Sequence, residues 1–145
     1  MRIETLQSMT AARLAVITTD TPLRSAAVAL SSSRIGLLVV CDETRRATGV
    51  LSKSDIVRHL TDQGVIEAPA GSLMTRNVIS CRPEDDLYAT WQRMGVHSVQ
   101  NMPVLGADCK PLGVLDVRDA LKTLFEQEEY EEQLLSNYVA GIGYQ

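Results

Sequence analysis

The amino-acid sequence repeats itself with a period of about 64 residues, and this doubling limits the possible folds more than any other feature. Gly49-Val50-Leu51 recurs as Gly113-Val114-Leu115, and Met9-Thr10 recurs as Met74-Thr75 one residue further apart. Because a fixed period marks a repeated structural unit, we expect two copies of one fold in tandem. Further matched pairs are Leu23 with Leu87, Leu30 with Met94, Ile35 with Val99, Val40 with Val104, Asp55 with Asp119, and Leu60 with Leu124.

The spacing of apolar residues predicts the same order of elements, β-α-β-β-α, in both copies. The chain is therefore expected to have an α+β fold of two tandem repeats with pseudo-twofold symmetry, extended by a C-terminal helix. In the first copy we predict strand 15–18, a helix opened by Pro22, strand 35–41, a hairpin loop at 42–47, strand 48–52 and helix 53–62. In the second copy we predict strand 78–80, helix 85–95, strand 99–105, strand 112–115 and a helix from 117 onward.

The chain divides into two repeats and a tail. We expect residues 1–64 to form the first repeat with a short N-terminal helix, residues 65–125 the second repeat with its linker, and residues 126–145 an acidic helical tail. The linker is predicted at 61–70, where Gly64 and Pro69 lie. A unit of roughly 60 residues buries too little surface to be stable alone, so the two sheets are expected to share a core.

The composition argues against several classes of protein. A net charge of −4 disfavours general nucleic-acid binding, which needs clustered basic residues, although a local basic face at Arg45 and Arg46 stays open. No apolar run approaches the ~20 residues of a membrane span, and the N-terminus lacks the apolar stretch of a secretory signal. Three widely spaced cysteines fit neither a disulfide framework nor a zinc site, so we expect free thiols and a cytoplasmic location.

The repeated motifs, taken together and in order, resemble a known family. They are Met9-Thr10 and Leu73-Met74-Thr75 at the start of the copies, the central strands 35–40 and 99–104, and the strand-to-helix turns 49–55 and 113–119. Over about residues 8–125 the chain resembles a tandem pair of cystathionine-beta-synthase (CBS) domains, often called a Bateman module. The resemblance implies a sensor of an adenosine-containing ligand such as AMP, ADP, ATP, NAD or S-adenosylmethionine. It also implies homodimers in which two modules form a flat disc.

The candidate ligand site is the pattern Ser52-x-x-Asp55, which lies where a predicted strand meets a predicted helix. A helix N-terminus offers unpaired N–H groups and a partial positive charge, and both attract phosphate. The Asp55 carboxylate can accept hydrogen bonds from two adjacent ribose hydroxyls, as an acidic residue does in dinucleotide-binding folds. The same spacing is close to a capping box, which stabilises any helix, so a purely structural role is the alternative interpretation.

The resemblance extends this site along the first copy. By the family's pattern, Ser52 lies near phosphate and Asp55 on the ribose, while adenine lies against the segment 35–38 and the backbone around 17–19. Basic side chains near the same turn could neutralise the phosphate. The predicted ligand-binding residues are Ile17, Thr18, Thr19, Arg34, Ile35, Gly36, Leu37, Leu38, Ser52, Lys53, Asp55 and Arg58.

The second copy departs from this pattern, because Asp116 stands where Ser52 stands and Val117 replaces Lys53. A phosphate ~4 Å from Asp116 would be repelled by on the order of 1 kcal/mol in bulk water and by about 4 kcal/mol at an effective dielectric of 20. Arg118 offsets part of this, so we expect a second, weaker site. Its predicted residues are Ile79, Ser80, Val99, Asn101, Met102, Pro103, Asp116, Arg118 and Asp119.

The sequence contains no recognisable catalytic or metal-binding constellation. His59 and His97, the two histidines, have no cysteine or serine partner at a familiar spacing, so neither a catalytic cofactor nor a metal is expected. The leading interpretation is a non-catalytic module that signals to an unknown effector protein, with the acidic run 126–132 as the candidate contact. The alternatives are an interaction module that binds no nucleotide, an enzyme, and a nucleic-acid binder.

Overall fold

The computed structural model describes residues 1–62 and 64–143; Gln63 of the predicted linker and Tyr144 and Gln145 of the predicted tail lie outside the described residues. The described chain has the expected α+β architecture. Its helices are α1 (Gln7–Ala12), α2 (Leu23–Leu30), α3 (Lys53–Asp62), α4 (Leu87–Val96) and α5 (Val117–Gly143). Its strands are β1 (Val16–Thr18), β2 (Leu38–Cys41), β3 (Ala47–Leu51), β4 (Asn101–Leu105) and β5 (Pro111–Asp116).

The first repeat forms a three-stranded sheet in the order β1-β2-β3. The central strand β2 pairs parallel with β1 and antiparallel with β3, and all four of its residues are buried. In the hairpin loop, Asp42 Oδ1 accepts hydrogen bonds from the backbone N–H groups of Thr44 (2.8 Å) and Arg46 (3.1 Å). The predicted strand 35–41 is three residues too long at its start, because β2 begins at Leu38. Residues 35–37 lie outside the sheet and line a cleft.

The second repeat has a shorter sheet, in which β4 pairs antiparallel with β5. The predicted strand 78–80 is wrong, since the parallel pairing is reduced to one bridge between Cys81 and Val104. In the first repeat, the Val39 N–H donates to the Ala15 carbonyl at 3.0 Å. The matching position in β4 is Pro103, which has no N–H to donate, so this ladder cannot extend in the same way.

Each repeat is completed by a segment that precedes the other repeat in the chain. We call residues 1–6 and 68–74 the exchanged segments. The first runs along the turn before α4, and the second runs in the same way along the turn before α2. The backbone hydrogen bonds are Ile3 N to Asp85 O (2.9 Å), Glu4 N to Pro83 O (2.8 Å) and Leu87 N to Met1 O (2.7 Å), matched by Ala70 N to Thr21 O (2.8 Å), Gly71 N to Thr19 O (2.9 Å) and Leu23 N to Ala68 O (2.9 Å).

The exchange also distributes the hydrophobic cores. Ile3 and Leu6 are buried in the core of the second repeat, whereas Ala70 and Met74 are buried in the core of the first. Packing therefore crosses the ranges 1–64 and 65–125 that the sequence suggests. The core expected between the two sheets is small, and its buried members are Val39, Cys41 and Val114.

Helix α5 begins in the second repeat and continues through the acidic tail. Its first turns pack against α4, with Leu124 against the core of the second repeat. Residues 128–140 are all exposed, including Leu135 (65%) and Tyr138 (67%). The helix therefore projects beyond the part of the chain that packs around the two cores.

Gly113 of β5 lies under α1, and substituting it tests how closely this helix packs on the strand. A Cβ atom added at Gly113 of β5 would come within 2.7 Å of the Thr10 backbone, whereas one added at Gly95 of α4 would meet nothing within 4 Å. We expect Gly113→Ala to lower the free energy of unfolding by about 1–3 kcal/mol through overpacking. The matched Gly95→Ala variant should raise it by about 0.5–1 kcal/mol through helix propensity. Urea denaturation measures both, and equal stabilities would contradict the close packing of α1 on β5.

The three cysteines should differ sharply in reactivity. Cys41 and Cys81 are buried, whereas Cys109 is exposed. Burial raises the pKa of the Cys41 thiol and raises the pKa of Cys81 to about 12. Because the thiolate is the reactive species, a disulfide reagent at pH 7 should titrate one thiol rapidly in the folded protein and three in urea. A Cys109→Ser variant should lose the rapid phase, and rapid labelling that persists in it would refute the burial of the other two.

Candidate functional site

A cleft of about 960 Å³ lies between the two repeats and is lined by residues of both. The beginnings of α3 and α5 face it, so the two predicted sites are the two halves of a single cleft. The lining residues are Ser33, Ile35, Gly36, Leu37, Val50, Ser52, Lys53, Ser54, Asp55, Thr75, Asn77, Ile79, Ser98, Val99, Gln100, Asn101, Pro103, Asp116, Val117 and Arg118.

In the first half, Ser52 and Asp55 form a reciprocal cap at the start of α3. Asp55 Oδ2 accepts hydrogen bonds from the Ser52 backbone N–H (2.9 Å) and hydroxyl (3.1 Å), and the Asp55 N–H donates to Ser52 Oγ (3.3 Å). The capping role that the spacing predicts is therefore present. Asp55 Oδ1 lies 3.6 Å from Arg58 Nη1, a long ion pair to an exposed guanidinium. This oxygen keeps capacity to accept hydrogen bonds from a ligand.

In the second half, Asp116 takes the place of Ser52 but not its environment. Its carboxylate is almost fully buried and accepts hydrogen bonds from Arg118, at the backbone N–H (2.7 Å), Nε (3.1 Å) and Nη2 (2.9 Å). Burial alone would raise the pKa of Asp116, but the bonds and charge of Arg118, with the charge of Arg13, lower it below its ordinary value. Asp116 is therefore an internally neutralised anion.

Asp119, the counterpart of Asp55, is paired with a residue that sequence reasoning missed. Arg13, directly after α1, donates to both oxygens of Asp119, through Nε to Oδ2 and through Nη2 to Oδ1 (3.2 Å). Its Nη1 also donates to the Arg34 carbonyl (3.1 Å) and lies 3.8 Å from Asp116 Oδ2. The hydrogen bond to Asp119 is the main cause that raises the pKa of Arg13. The only sequence signal was a mismatch between the copies, since the positions matching Arg13 are the neutral Asn77 or Val78.

Half of the predicted ligand contacts of the first copy line the cleft. They are Ile35, Gly36, Leu37, Ser52, Lys53 and Asp55. Arg58 lines a smaller hollow of about 180 Å³ beside Asp55, and Arg34 is exposed. Leu38 is fully buried in the core, where its side chain cannot reach a ligand. The remaining three lie on or after β1, where Ile17 packs against the first core, Thr18 binds the Thr21 hydroxyl and Thr19 accepts from the exchanged segment at Gly71.

Six of the nine contacts predicted for the second copy line the cleft. The residues that line the cleft are Ile79, Val99, Asn101, Pro103, Asp116 and Arg118. Met102 is fully buried in the second core, and the Ser80 carbonyl accepts a hydrogen bond from Arg93 (3.0 Å). Asp119 is held by Arg13 and is not among the lining residues.

Several lining residues were absent from the sequence-based site. Thr75 and Asn77 reach the cleft because the exchanged segment leads into it, and Thr75 forms a bridge with Val50 of β3. The recurrence of Met9-Thr10 as Met74-Thr75 was the available signal, but it marks the start of a repeat and says nothing about which sheet the segment joins. Other missed residues are Ser33, Val50, Ser54, Ser98, Gln100 and Val117.

Asn101 lines the cleft and carries an unsatisfied acceptor. Its Oδ1 atom is buried and has no hydrogen-bond partner within the described chain. A Cβ atom on Gly36 would lie 2.6 Å from Asn101 Nδ2, so a larger residue at position 36 would force the Asn101 amide to move. Because unpaired buried acceptors are uncommon in folded proteins, this amide is a candidate contact for a ligand N–H group.

The family comparison agrees with the fold. The CBS-domain model matches residues 6–62 and again residues 70–126. The chain therefore belongs to the CBS-domain family and carries two such domains in tandem, which confirms the resemblance in the sequence.

Known proteins with a similar sequence differ in how much of them this chain spans. It is 22% identical over 128 residues to an uncharacterized 17.7 kDa protein of Acidianus ambivalens, and the match covers 88% of this chain and 77% of that protein. It is 26% identical over 99 residues to arabinose 5-phosphate isomerase GutQ of Salmonella typhi, and the match covers 68% of this chain but 31% of the isomerase.

Solved structures share the fold at low identity. The CBS domain pair of protein MJ0100, in complex with 5′-methylthioadenosine and S-adenosyl-L-methionine, is 18% identical with a TM-score of 0.73, and the match covers 88% of this chain and 98% of that one. The CBS domain protein PAE2072 from Pyrobaculum aerophilum, complexed with AMP, is 21% identical with a TM-score of 0.72, covering 82% and 89%. Among the described residues, no helix combines the length and apolar character needed to cross a bilayer.

Asp116 should make a pH-dependent contribution to stability. A carboxyl whose pKa is lowered in the folded state stabilises the fold above its unfolded pKa, near 4, and loses this contribution as pH falls through the folded pKa. Asp116→Asn should therefore lower Tm at pH 7, and the difference from the unmodified protein should shrink as pH falls below about 4. The exposed Asp20→Asn variant is the control and should show little difference. A Tm deficit of Asp116→Asn that stays constant with pH would refute the assignment.

Proposed function

We propose that this chain is a non-catalytic regulatory module that binds an adenosine-containing ligand in the cleft and signals to a partner protein. The observation that carries the proposal is the start of α3, where Asp55 lines the cleft and keeps one carboxylate oxygen outside the capping interaction. The proposal is supported by two proteins of similar fold, one in complex with AMP and the other with 5′-methylthioadenosine and S-adenosyl-L-methionine.

Each part of an adenine nucleotide has a chemically matching group in this cleft. Phosphate fits the N-terminus of α3, where Lys53 and Ser54 are exposed and the helix supplies unpaired N–H groups. The ribose hydroxyls can donate to Asp55 Oδ1. The base fits between apolar side chains of both repeats, and its amino group can donate to the unpaired Asn101 Oδ1. The apolar lining residues of the two repeats are Ile35, Leu37, Ile79, Val99 and Pro103.

A ligand in this position contacts both repeats, and this is what would make it a signal. Binding shifts a protein between shapes only when the ligand has different affinities for them, and a ligand that bridges two units meets that condition when the units move. We infer that the readout runs through a homodimer and then to an effector protein. Helices α2 and α3 pack together in the first repeat, as α4 and α5 do in the second. Exposed apolar side chains on both pairs support an interface there, namely Val28 (69%), Val57 (60%), Tyr88 (53%) and Phe125 (59%). The exposed part of α5 is the proposed contact for the effector.

The free thiols bear on the setting in which this module works. The three cysteines are unpaired, and two of them are buried in the cores. Reduced thiols persist in reducing compartments, so we place the protein in the cytoplasm.

One observation favours a second candidate function, an interaction module that binds no nucleotide. The cap between Ser52 and Asp55 is complete within the chain, so these residues have a structural role without any ligand. The two candidates differ in whether adenosine compounds stabilise the fold.

Ligand titration with a matched pair of variants separates the candidates. At 100 times its dissociation constant, a ligand adds about 2.7 kcal/mol to stability, which raises Tm by several degrees in a chain of this size. We expect AMP or ATP to do so, and we expect Asp55→Asn to weaken the binding roughly 10- to 100-fold, because a hydrogen bond to a charged group contributes about 1.5–3 kcal/mol. Asparagine keeps an acceptor for the cap, so the fold should persist.

Asp86→Asn is the control, because Asp86 caps α4 outside the cleft by accepting from the Ala89 N–H (3.0 Å). It should leave ligand affinity unchanged. If neither AMP, ATP, 5′-methylthioadenosine nor S-adenosylmethionine raises Tm, the interaction module without nucleotide becomes the better account. Equal affinities of the Asp55→Asn and Asp86→Asn proteins for the ligand would exclude Asp55 from the site.

A further inference from the structure

The two halves of the cleft come from matching sequence positions of the two repeats, but an arginine holds the aspartate of only one of them. Asp55 and Asp119 hold the same place in the two repeats, three residues after Ser52 and Asp116 respectively. Asp119 is held by Arg13, with one hydrogen bond to each carboxylate oxygen, and both side chains are about one-fifth exposed. Such two-pronged pairing between a guanidinium and a carboxylate is among the stronger polar interactions in proteins.

Arg13 is also fixed from other directions. Its Nη1 donates to the Arg34 carbonyl at 3.1 Å, and the preceding helix α1 is packed on β5, where Thr10 covers Gly113. The guanidinium therefore bridges α1, the segment before β2 and the start of α5. A neutral hydroxyl pair would have to displace this charged and anchored group in order to bind Asp119.

The first half has no equivalent arginine. The positions that match Arg13 there are Asn77 or Val78, depending on where the one-residue offset between the copies falls, and neither carries a charge. Arg58 approaches Asp55 only at 3.6 Å and is 70% exposed, so a ligand can displace it at little cost.

The balance of charged side chains also makes the first half more favourable for a phosphate than the second. The first half has two cations, Lys53 and Arg58, against the single carboxylate of Asp55. The second has Arg13 and Arg118 against Asp116 and Asp119, and is neutral. Without Arg13 the second half would carry one net negative charge. It would then favour a neutral or cationic adenosine compound over a nucleotide with phosphates.

We propose that Arg13 determines the specificity and stoichiometry of the cleft, because it occupies the carboxylate that would otherwise bind a second ribose. The wild-type chain then binds one adenosine-containing ligand, at the Ser52–Asp55 half. This inference rests on the proposed function, since it takes ligand binding in the cleft as given. The role of Arg13 within the cleft is a separate claim.

Isothermal titration calorimetry with 5′-methylthioadenosine and, separately, with AMP tests the proposal. We expect one molecule of either ligand per wild-type chain. Arg13→Ala should bind two molecules of 5′-methylthioadenosine but still one of AMP, and the double variant Arg13→Ala/Asp119→Asn should return to one. Arg24→Ala, which removes an exposed arginine paired with Glu67 at 3.1 Å, is the matched control and should behave as wild type.

The outcomes distinguish this inference from the proposed function. Two molecules of either ligand per wild-type chain, or a single molecule of 5′-methylthioadenosine per folded Arg13→Ala chain, would overturn the role of Arg13 alone. Absence of binding by every variant would overturn the proposed function and this inference with it. Circular dichroism and thermal unfolding establish that each variant is folded. If Arg13→Ala does not fold, Arg13→Gln removes the charge with less loss of packing and is held to the same stoichiometry.

Discussion

Each repeat of this chain buries side chains that belong, in sequence, to the stretch before the other repeat. Ile3 and Leu6 complete the second core, and Ala70 and Met74 complete the first, while the core between the sheets has three buried residues. Neither unit can therefore close its own core, and the two must fold as a pair. The second exchanged segment leads directly into the cleft, where Thr75 forms a bridge with Val50 of β3.

The two halves of the cleft show how two copies of one repeat acquire different chemistry. At the start of α3, a neutral serine and an aspartate cap each other, and the surrounding charge is positive. At the start of α5, a buried aspartate is neutralised by Arg118, and the next carboxylate is held by Arg13. A helix N-terminus attracts anions in both places, but only the first leaves that attraction open to a ligand.

Much of the fold could be predicted because it depends on short-range spacing. Local sequence patterns predict the order of elements, the helix from Lys53 to Asp62 and the cap at its start. The strand predicted at 78–80 failed because its pairing depends on Pro103, which lies far along the chain and has no N–H for the ladder. The family's adenine segment includes Leu38 and Met102 and so predicts them as ligand contacts, but strand alternation turns their side chains into the cores.

The sequence by itself determined the doubling, the family, the two helix starts and the inequality of Ser52 and Asp116. Only the tertiary structure decided which segment completes which core, that the two sites form one cleft, and that Arg13 reaches Asp119 across 106 positions of sequence. The physical reason is the range of the interactions. Caps, turns and apolar stripes act between residues a few positions apart, whereas a salt bridge or a shared core depends on the path of the whole chain.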